Sequence, residues 1–397
     1  MSTSILYHAF RTEGVKYKST ELDGNKIIFH GEIAESHVCC PNCKSRNVSF
    51  KDHRERQFLL PPSGRKRFIL NLQVHRTLCK NCQGLHWSHL PFMYGKTRMS
   101  RAFIQMAMDM LAFTTIEATA DQMGVGWDCI KDLHKHKLES QYNFISLDGI
   151  EYISVDEFAI AKGHEYMTVF IDIQTGRILH AVEGKDMEAV IPFLKRLKKK
   201  AVQLKGIAMD MSPAFSSAVQ QELPHVEIIF DRFHVMKMMN TVLDDIRKTQ
   251  QKLLGNTLKG DRFLLLKNYD NLDINGMERL NTLLAVNEPL FIAHTLKEQL
   301  RLFWEQKDKV DGEKYLREWC ADAFFSGVPL LAKIASSLWK KSAGLLSFFD
   351  HPISNGKTEG INNKIKTLKR QAYGFRDTRY FKLRLYHLHE QRYQLAG

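Results

Sequence analysis

The sequence predicts a multidomain α+β chain: a zinc ribbon, a helix-turn-helix, and a mixed sheet of order βββαβαβ whose final helix follows an all-helical insertion. Three observations carry this expectation. Four cysteines recur as two CxxC pairs, Cys40 with Cys43 and Cys79 with Cys82. Strand-like and helix-like runs alternate from residue 150 to residue 230. From Val235 to about Phe349 the apolar spacing is helical, broken at Gly255-Asn256, Asn275-Gly276 and Gly327-Val328-Pro329. At 397 residues, 44% of them hydrophobic, the chain can bury a sizeable core and by length forms two or three domains. The boundaries read as 1–95 for the ribbon, 96–148 for the helix-turn-helix, 149–234 and 350–397 for the sheet domain, and 235–349 for the insertion.

The net charge of +13 is concentrated at the two ends of the chain. Cys40 to Met110 holds 13 Lys and Arg against 3 acids, and Lys357 to Gly397 holds 10 against 3, so the remainder is slightly acidic. Two basic ends suit a polyanion, because phosphate neutralisation supplies most sequence-independent binding energy. Solvated faces would give the same count. No uncharged apolar run of about 18 residues is present, and the first residues, MSTSILYHAFRTEG, lack a basic segment leading into an apolar one. A cytoplasmic chain with no membrane anchor is the expectation.

In chain order, Lys26-Ile27-Ile28-Phe29-His30 is strand-like after a Gly-Asn turn. Phe68, Leu70, Leu72 and Val74 alternate with more polar residues, the period of a half-buried strand, and lead into the second CxxC. Each CxxC places two thiolates on one side of a knuckle, and two knuckles close a tetrahedral Zn²⁺ site. The 35 residues between the pairs exceed the usual gap of about 15 to 20, which a long hairpin would fill. Such a zinc would be structural, since four protein ligands leave no open position. Four ordinary buried cysteines are the alternative; Cys39 reads as a spare thiol, and His86 or His89 could replace one ligand.

Thr97 to about Lys137 is helical in pattern, with Met123-Gly124-Val125-Gly126 between two short pieces. A helix-turn-helix needs a residue tolerant of positive φ at its turn, which Gly124 or Gly126 supplies. The second helix would begin near Trp127 and present Lys131 and His134 outward, Lys131 toward DNA. Any helical hairpin with a Gly turn looks alike in sequence.

From residue 150 the runs Tyr152 to Phe158, Glu165 to Ile173 and Arg177 to Val182 read as a three-stranded meander. Asp186 then caps an amphipathic helix carrying Met187, Val190, Ile191 and Leu194. A strand at Ile207 to Met209, a helix from Ser212 to Leu223 and a strand at Val226 to Phe230 follow. Asp156 lies in the first strand and Asp210 ends the fourth; if those strands are neighbours, both carboxylates reach one cleft, as a hard divalent ion requires. Either Asp alone could be a turn residue. Glu359 opens the last helix, where Asn362, Asn363 and Lys366 share its face at helical spacing, a carboxylate beside amides and an ammonium suited to phosphate.

Together, "ISVDEFAIAKGHEYMTVFIDIQTGRIL", "AMDMSPAF", "DRFHV" and "SNGKTEGINNKIKTLKRQAYGFR", with the ribbon and the helix-turn-helix, resemble the ISL-three-type family of insertion-sequence transposases over nearly the whole chain. The resemblance implies an RNase H-like catalytic fold whose acidic triad falls on Asp156, Asp210 and Glu359. It implies two Mg²⁺ or Mn²⁺ ions and phosphoryl transfer without a covalent protein–DNA intermediate. Asp231-Arg232-Phe233-His234 is similar to the C/D-x-x-H signature after the fifth strand of such enzymes, which puts Asp231 and His234, with Asn363, around the carboxylates. The implied partners are double-stranded DNA, as terminal inverted repeats and as target, and a second subunit in a synaptic homodimer, in a bacterial nucleoid setting. By the same analogy Trp304, rather than Trp319 or Trp339, could stack on an unstacked base, although a Trp on a helix is more often core. Lys364, Lys366, Lys369, Arg370, Arg376 and Arg379 would form a phosphate-contacting stripe. A zinc-dependent regulator would leave the acidic residues unexplained, and an RNase H-like nuclease without strand joining would use the same ones. A tyrosine recombinase fits poorly, because Tyr393 follows His389-Glu390-Gln391-Arg392 at once.

Overall fold

The computed structural model describes residues 5–389 apart from 96, 161–164, 201, 255–259, 354–355 and 373. Gly255-Asn256, Asn355 and the segment beyond His389, all invoked above, lie outside the described residues. Two compact units emerge, one ending at Asn143 and the other spanning Phe144–His389.

In the first unit a short helix α1 (Ile5–Phe10) precedes two hairpins, β1 (Val15–Asp23) with β2 (Lys26–Ile33) and β3 (Val48–Ser63) with β4 (Lys66–Cys79), and β5 (Leu85–Trp87). The strand order is β1-β2-β4-β3, with β5 beside β4; β2 and β4 run parallel, so the sheet is mixed. The long β3–β4 hairpin fills the wide gap between the cysteine pairs. Its register slips between Leu60 and Ser63, where Pro61-Pro62 cannot donate to a ladder. Leu70, Leu72 and Val74 are buried as the alternation requires, against Leu6, Phe10 and Phe58.

Three helices complete this unit: α2 (Arg101–Met110), α3 (Ile116–Met123) and α4 (Trp127–Tyr142). Ser100 caps α2 by accepting from Phe103 N, and Thr115 caps α3 by accepting from Ala118 N. Of the two turn glycines, Gly124 takes the left-handed conformation at φ +67°, while Gly126 stays extended at φ −69°. Phe103, Ala107, Ala120, Met123 and Ile130 pack the three helices together. His134, expected to point outward, is instead 4% exposed. It follows Ile130 and precedes Leu138 at four-residue spacing, and that row is the buried face of α4.

The second unit opens with the meander β6 (Tyr152–Ala159), β7 (Tyr166–Asp172) and β8 (Ile178–Glu183). Then come α5 (Met187–Lys199), β9 (Gly206–Met209), α6 (Pro213–Glu222) and β10 (Glu227–Phe230), the order expected from sequence. The sheet runs β10-β9-β6-β7-β8, and β9 pairs in parallel with both β6 and β10. Both faces are covered, which explains why the middle of β7 is apolar on both sides: Met167, Val169 and Ile171 face one cluster and Phe170 the other. Asp186 caps α5 by accepting from Ala189 N at 2.9 Å.

The helical stretch begins at Arg232, earlier than the expected boundary, with α7 (Arg232–Leu254), α8 (Arg262–Leu266) and α9 (Ile274–Ala285). It continues through α10 (Glu288–Leu302), α11 (Lys309–Phe325), α12 (Pro329–Lys340) and α13 (Ser342–Asp350). Two helices then close the unit, α14 (Gly356–Gln371) and α15 (Thr378–His387), not one. Ile361, Ile365 and Leu368 of α14 and Phe381 and Leu385 of α15 pack on the Met167–Ile171 face of the sheet. That packing fixes which side of α14 is left for chemistry.

Candidate active site and metal centre

Asp156 stands within β6, and Asp210 follows the last residue of β9. These strands are parallel neighbours in the register Ile153 to Ile207 and Ser154 to Ala208; carried two residues further, that register sets Asp156 opposite Asp210. The third acid arrives from 149 positions beyond Asp210, on the first turn of α14. All three line one cavity of about 990 Å³, together with Asp231, His234, Asn362, Asn363 and Lys366. The face of α14 read from spacing is therefore the one that meets the strand ends.

Hydrogen bonds hold two of these carboxylates in place. Asp156 accepts from Glu157 N at 2.8 Å and from the side-chain amide of Asn362. Asp210 accepts from Ser212 N at 3.0 Å, while Lys341 Nζ donates to Met211 O at 2.7 Å and steadies the same loop. Burial, with Asp210 nearby, raises the Asp156 carboxyl above its ordinary value despite the help of Glu157 N–H, His234 and Asn362. Glu157 is raised too, first by burial and then by Asp210. It also lines the cavity and is a fifth acid there, after Asp231, that the sequence reading missed; the Asp-Glu doublet was its only signal.

Asp231 accepts from Phe233 N at 2.9 Å and, through its other oxygen, from His234 Nδ1 at 2.9 Å. The Asp231 partnership, opposed by burial and helped by Asp156 and Asp210, raises the pKa of His234. The neighbouring acids thus favour the protonated form of His234. Among the described residues, the only group of three or more His, Cys, Asp or Glu ligand atoms drawn within 4.8 Å is the four-cysteine cluster. The acids share a cavity without closing on one point.

A family model for DDE transposases of the ISL-three type, described as "Transposase", matches residues 153–385. The transposase for insertion sequence element IS1001 of Bordetella parapertussis is 31% identical over 356 residues, 88% of each chain. The chain belongs to the ISL-three-type family of DDE transposases. The transposase for element IS1557 of Mycobacterium tuberculosis is 26% identical over 256 residues, 57% of each chain. A chain of the Drosophila P element transposase strand transfer complex is a remote likeness, at 12% identity and a TM-score of 0.39 over 74% of this chain and 92% of that one.

The transposase is a polynucleotidyl transferase, and its family implies divalent-metal chemistry. Its second candidate centre lies in the first unit, where the Sγ atoms of Cys40, Cys43, Cys79 and Cys82 all lie within 4.8 Å of one another. Cys40 to Cys82 is 3.6 Å and Cys43 to Cys79 is 3.5 Å, close to the edge of about 3.8 Å that a tetrahedron with 2.3 Å metal–sulfur bonds would have. Backbone N–H groups of Cys82 and Asn81 lower the Cys79 thiol to about 6, and those of Cys43 and Asn42 lower Cys40. Cys43, although favoured as thiolate by Ser45 N–H, is pushed up to about 12 by the Cys79 thiol, burial and the remaining cysteines. Four thiolates in this space would need a cation. Neither His86, His89 nor Cys39 joins the group.

Other residues singled out from the sequence are dispersed. Lys364, Arg370, Arg376 and Arg379 are exposed, but only Lys366 of the basic stripe lines the acidic cavity. Lys369 is partly withdrawn, donating to Ala159 O and lying over the Phe158 ring. Lys131 lies 5.4 Å above the Trp127 ring. Trp304, the candidate for base stacking, is 6% exposed. Its ring meets Phe303 edge-on at 5.1 Å and carries the Arg232 guanidinium at 5.3 Å, so no face is left for a base. No helix of the described residues is long and apolar enough to cross a membrane.

Proposed function

We propose that the transposase binds the terminal inverted repeats of an insertion sequence through residues 1–148 and cuts and joins DNA strands at the cavity of its RNase H-like sheet, 149–234 with 350–397, acting as a homodimer. Asp156, Asp210 and Glu359 hold two divalent ions, Mg²⁺ or Mn²⁺, and Cys40, Cys43, Cys79 and Cys82 hold a structural Zn²⁺. The single observation that carries the catalytic reading is that these three acids line one cavity, two of them on parallel neighbouring strands. The donor set suits a hard cation: the acids are oxygen ligands, and the half-buried Asp156 is held above its ordinary pKa, the state that a cation relieves. When bound, the ions would activate the attacking oxygen and stabilise the leaving one.

The chain's own residues set the rest. Asn362 orients Asp156, and Asp231 orients His234, whose protonated form the acids favour. Lys366 on α14 and Arg232 and Lys237 on α7 line the cavity, where cations position phosphates without reading sequence. Asn363 lies beside Lys366 on the cavity wall. The test is cleavage of the element's ends by the purified full chain with Mg²⁺ or Mn²⁺. Asp156→Asn and Glu359→Gln should each abolish cutting while end binding survives; persistent cutting by both would remove the triad. A nuclease without strand joining would release cut ends and never a joined product.

A further inference from the structure

Within the first unit, the β3–β4 hairpin turns at Ser63-Gly64, with Gly64 at φ +57°, and the three residues that follow, Arg65, Lys66 and Arg67, are all exposed. The surrounding sequence is one-sided in charge. Between Glu55 and Asp109 there is no acidic residue and there are nine Lys and Arg. No ion pair to Arg65, Lys66 or Arg67 occurs among the described residues.

The hairpin tip does not swing free. Lys66 Nζ donates to Gly24 O at 2.7 Å and Arg67 N donates to Asn25 O at 2.9 Å, bracing it against the β1–β2 turn. On its other side Gln122 of α3 donates to Gly64 O at 3.5 Å. The Arg67 guanidinium lies so close to Gly124 that a Cβ there would stand 2.5 Å from Nε. Further down, Leu59 N donates to Arg98 O at 2.8 Å and Ser100 N to Leu59 O at 3.0 Å, tying the strand to the start of α2. Lys66 and Arg67 are thus fixed at the tip, Arg67 beside the turn between α3 and α4, with Arg65 exposed next to them. Holding like charges together costs free energy, and holding them rigidly lowers the cost of binding an array of phosphates.

We propose that the tip of the β3–β4 hairpin is a second DNA contact, a wing that grips the duplex backbone beside the helix-turn-helix. The proposal rests on the reading of α3 and α4 as a DNA-binding pair, and it assigns the tip to phosphate and not to bases. Its readout is the salt dependence of binding by the full chain. Two probes serve: a mixed-sequence duplex and a duplex carrying the ends of the element that encodes the chain. Each phosphate contact contributes nearly one unit to the slope of log affinity against log salt. The double variant Arg65→Ala with Lys66→Ala should therefore flatten the slope by about 2 on both probes alike. The charge-preserving pair Arg65→Lys with Lys66→Arg should restore it, which separates lost charge from lost fold. An unchanged slope overturns the proposal, as does a loss confined to one probe, which would make the tip a base reader. Trp127→Ala on α4 judges the underlying reading separately: full retention of discrimination between the probes would remove the helix pair, whatever the slope of the tip variant.

Discussion

The side-chain amide of Asn362 donates to a carboxylate oxygen of Asp156, joining residues 206 positions apart. Through it the first strand of the sheet and the helix that carries Glu359 share one polar contact inside the acidic cavity. Asn363, its chain neighbour, lines the same cavity but is exposed.

Removing that contact tests its role. Groups that orient a metal ligand typically change metal affinity or activity by about 10- to 100-fold. Asn362→Ala is expected to raise the Mg²⁺ or Mn²⁺ concentration needed for half-maximal cleavage by a factor in that range, with end binding unaltered. Metal-titrated cleavage assays check it; an unchanged midpoint would make the contact incidental.

The two turn glycines make opposite predictions. Gly124→Ala must hold an L side chain at φ +67° with its Cβ 2.5 Å from Arg67 Nε, so a loss of about 1–2 kcal/mol from the backbone is expected before the crowding is added. Gly126→Ala, at φ −69° with nothing within 4 Å, should stay within about 0.5 kcal/mol. Denaturant unfolding of both variants gives the comparison.

Metal removal should act on one unit only. Structural zinc contributes on the order of 10 kcal/mol to folding of small sites. Chelation, or Cys79→Ser, is expected to unfold the first unit while the second keeps its melting transition, with bound zinc falling from one equivalent toward none. Calorimetry and elemental analysis read both quantities.

Acid should weaken the second unit through two histidines. Burial, then Arg196 and Lys382, hold His180 down at about 4, stacked on Phe193. Burial and Lys297 hold His294 at about 4 as well, against Glu298; Lys297 Nζ lies 3.4 Å from its Nε2. Both are depressed below the unfolded value near 6.5, so the neutral forms favour the fold. Stability is full above about 6.5 and falls as the pH drops toward 4, by about 1–3 kcal/mol for each residue. His234, raised by Asp231, works in the opposite direction. The double variant His180→Phe with His294→Gln should flatten the decline measured by urea unfolding at successive pH values.

Sequence alone determined what is local. Apolar alternation and helical spacing depend on residues a few positions apart, and that information set the order βββαβαβ, the α14 face bearing Glu359, Asn362, Asn363 and Lys366, and the glycine turn before Trp127. The paired cysteines were legible because a CxxC knuckle is a local unit. Tertiary structure decided what long-range packing controls. It chose Gly124 over Gly126, put His134 and Trp304 into cores, and drew Lys369 toward Ala159. It also brought Glu157 and Asn362 to the acids, and set the basic hairpin tip against the turn between α3 and α4. Apart from His134, whose row with Ile130 and Leu138 is itself a helical period, none of these follows from periodicity, because burial and hydrogen-bond partnership belong to surfaces that meet only when distant segments fold together.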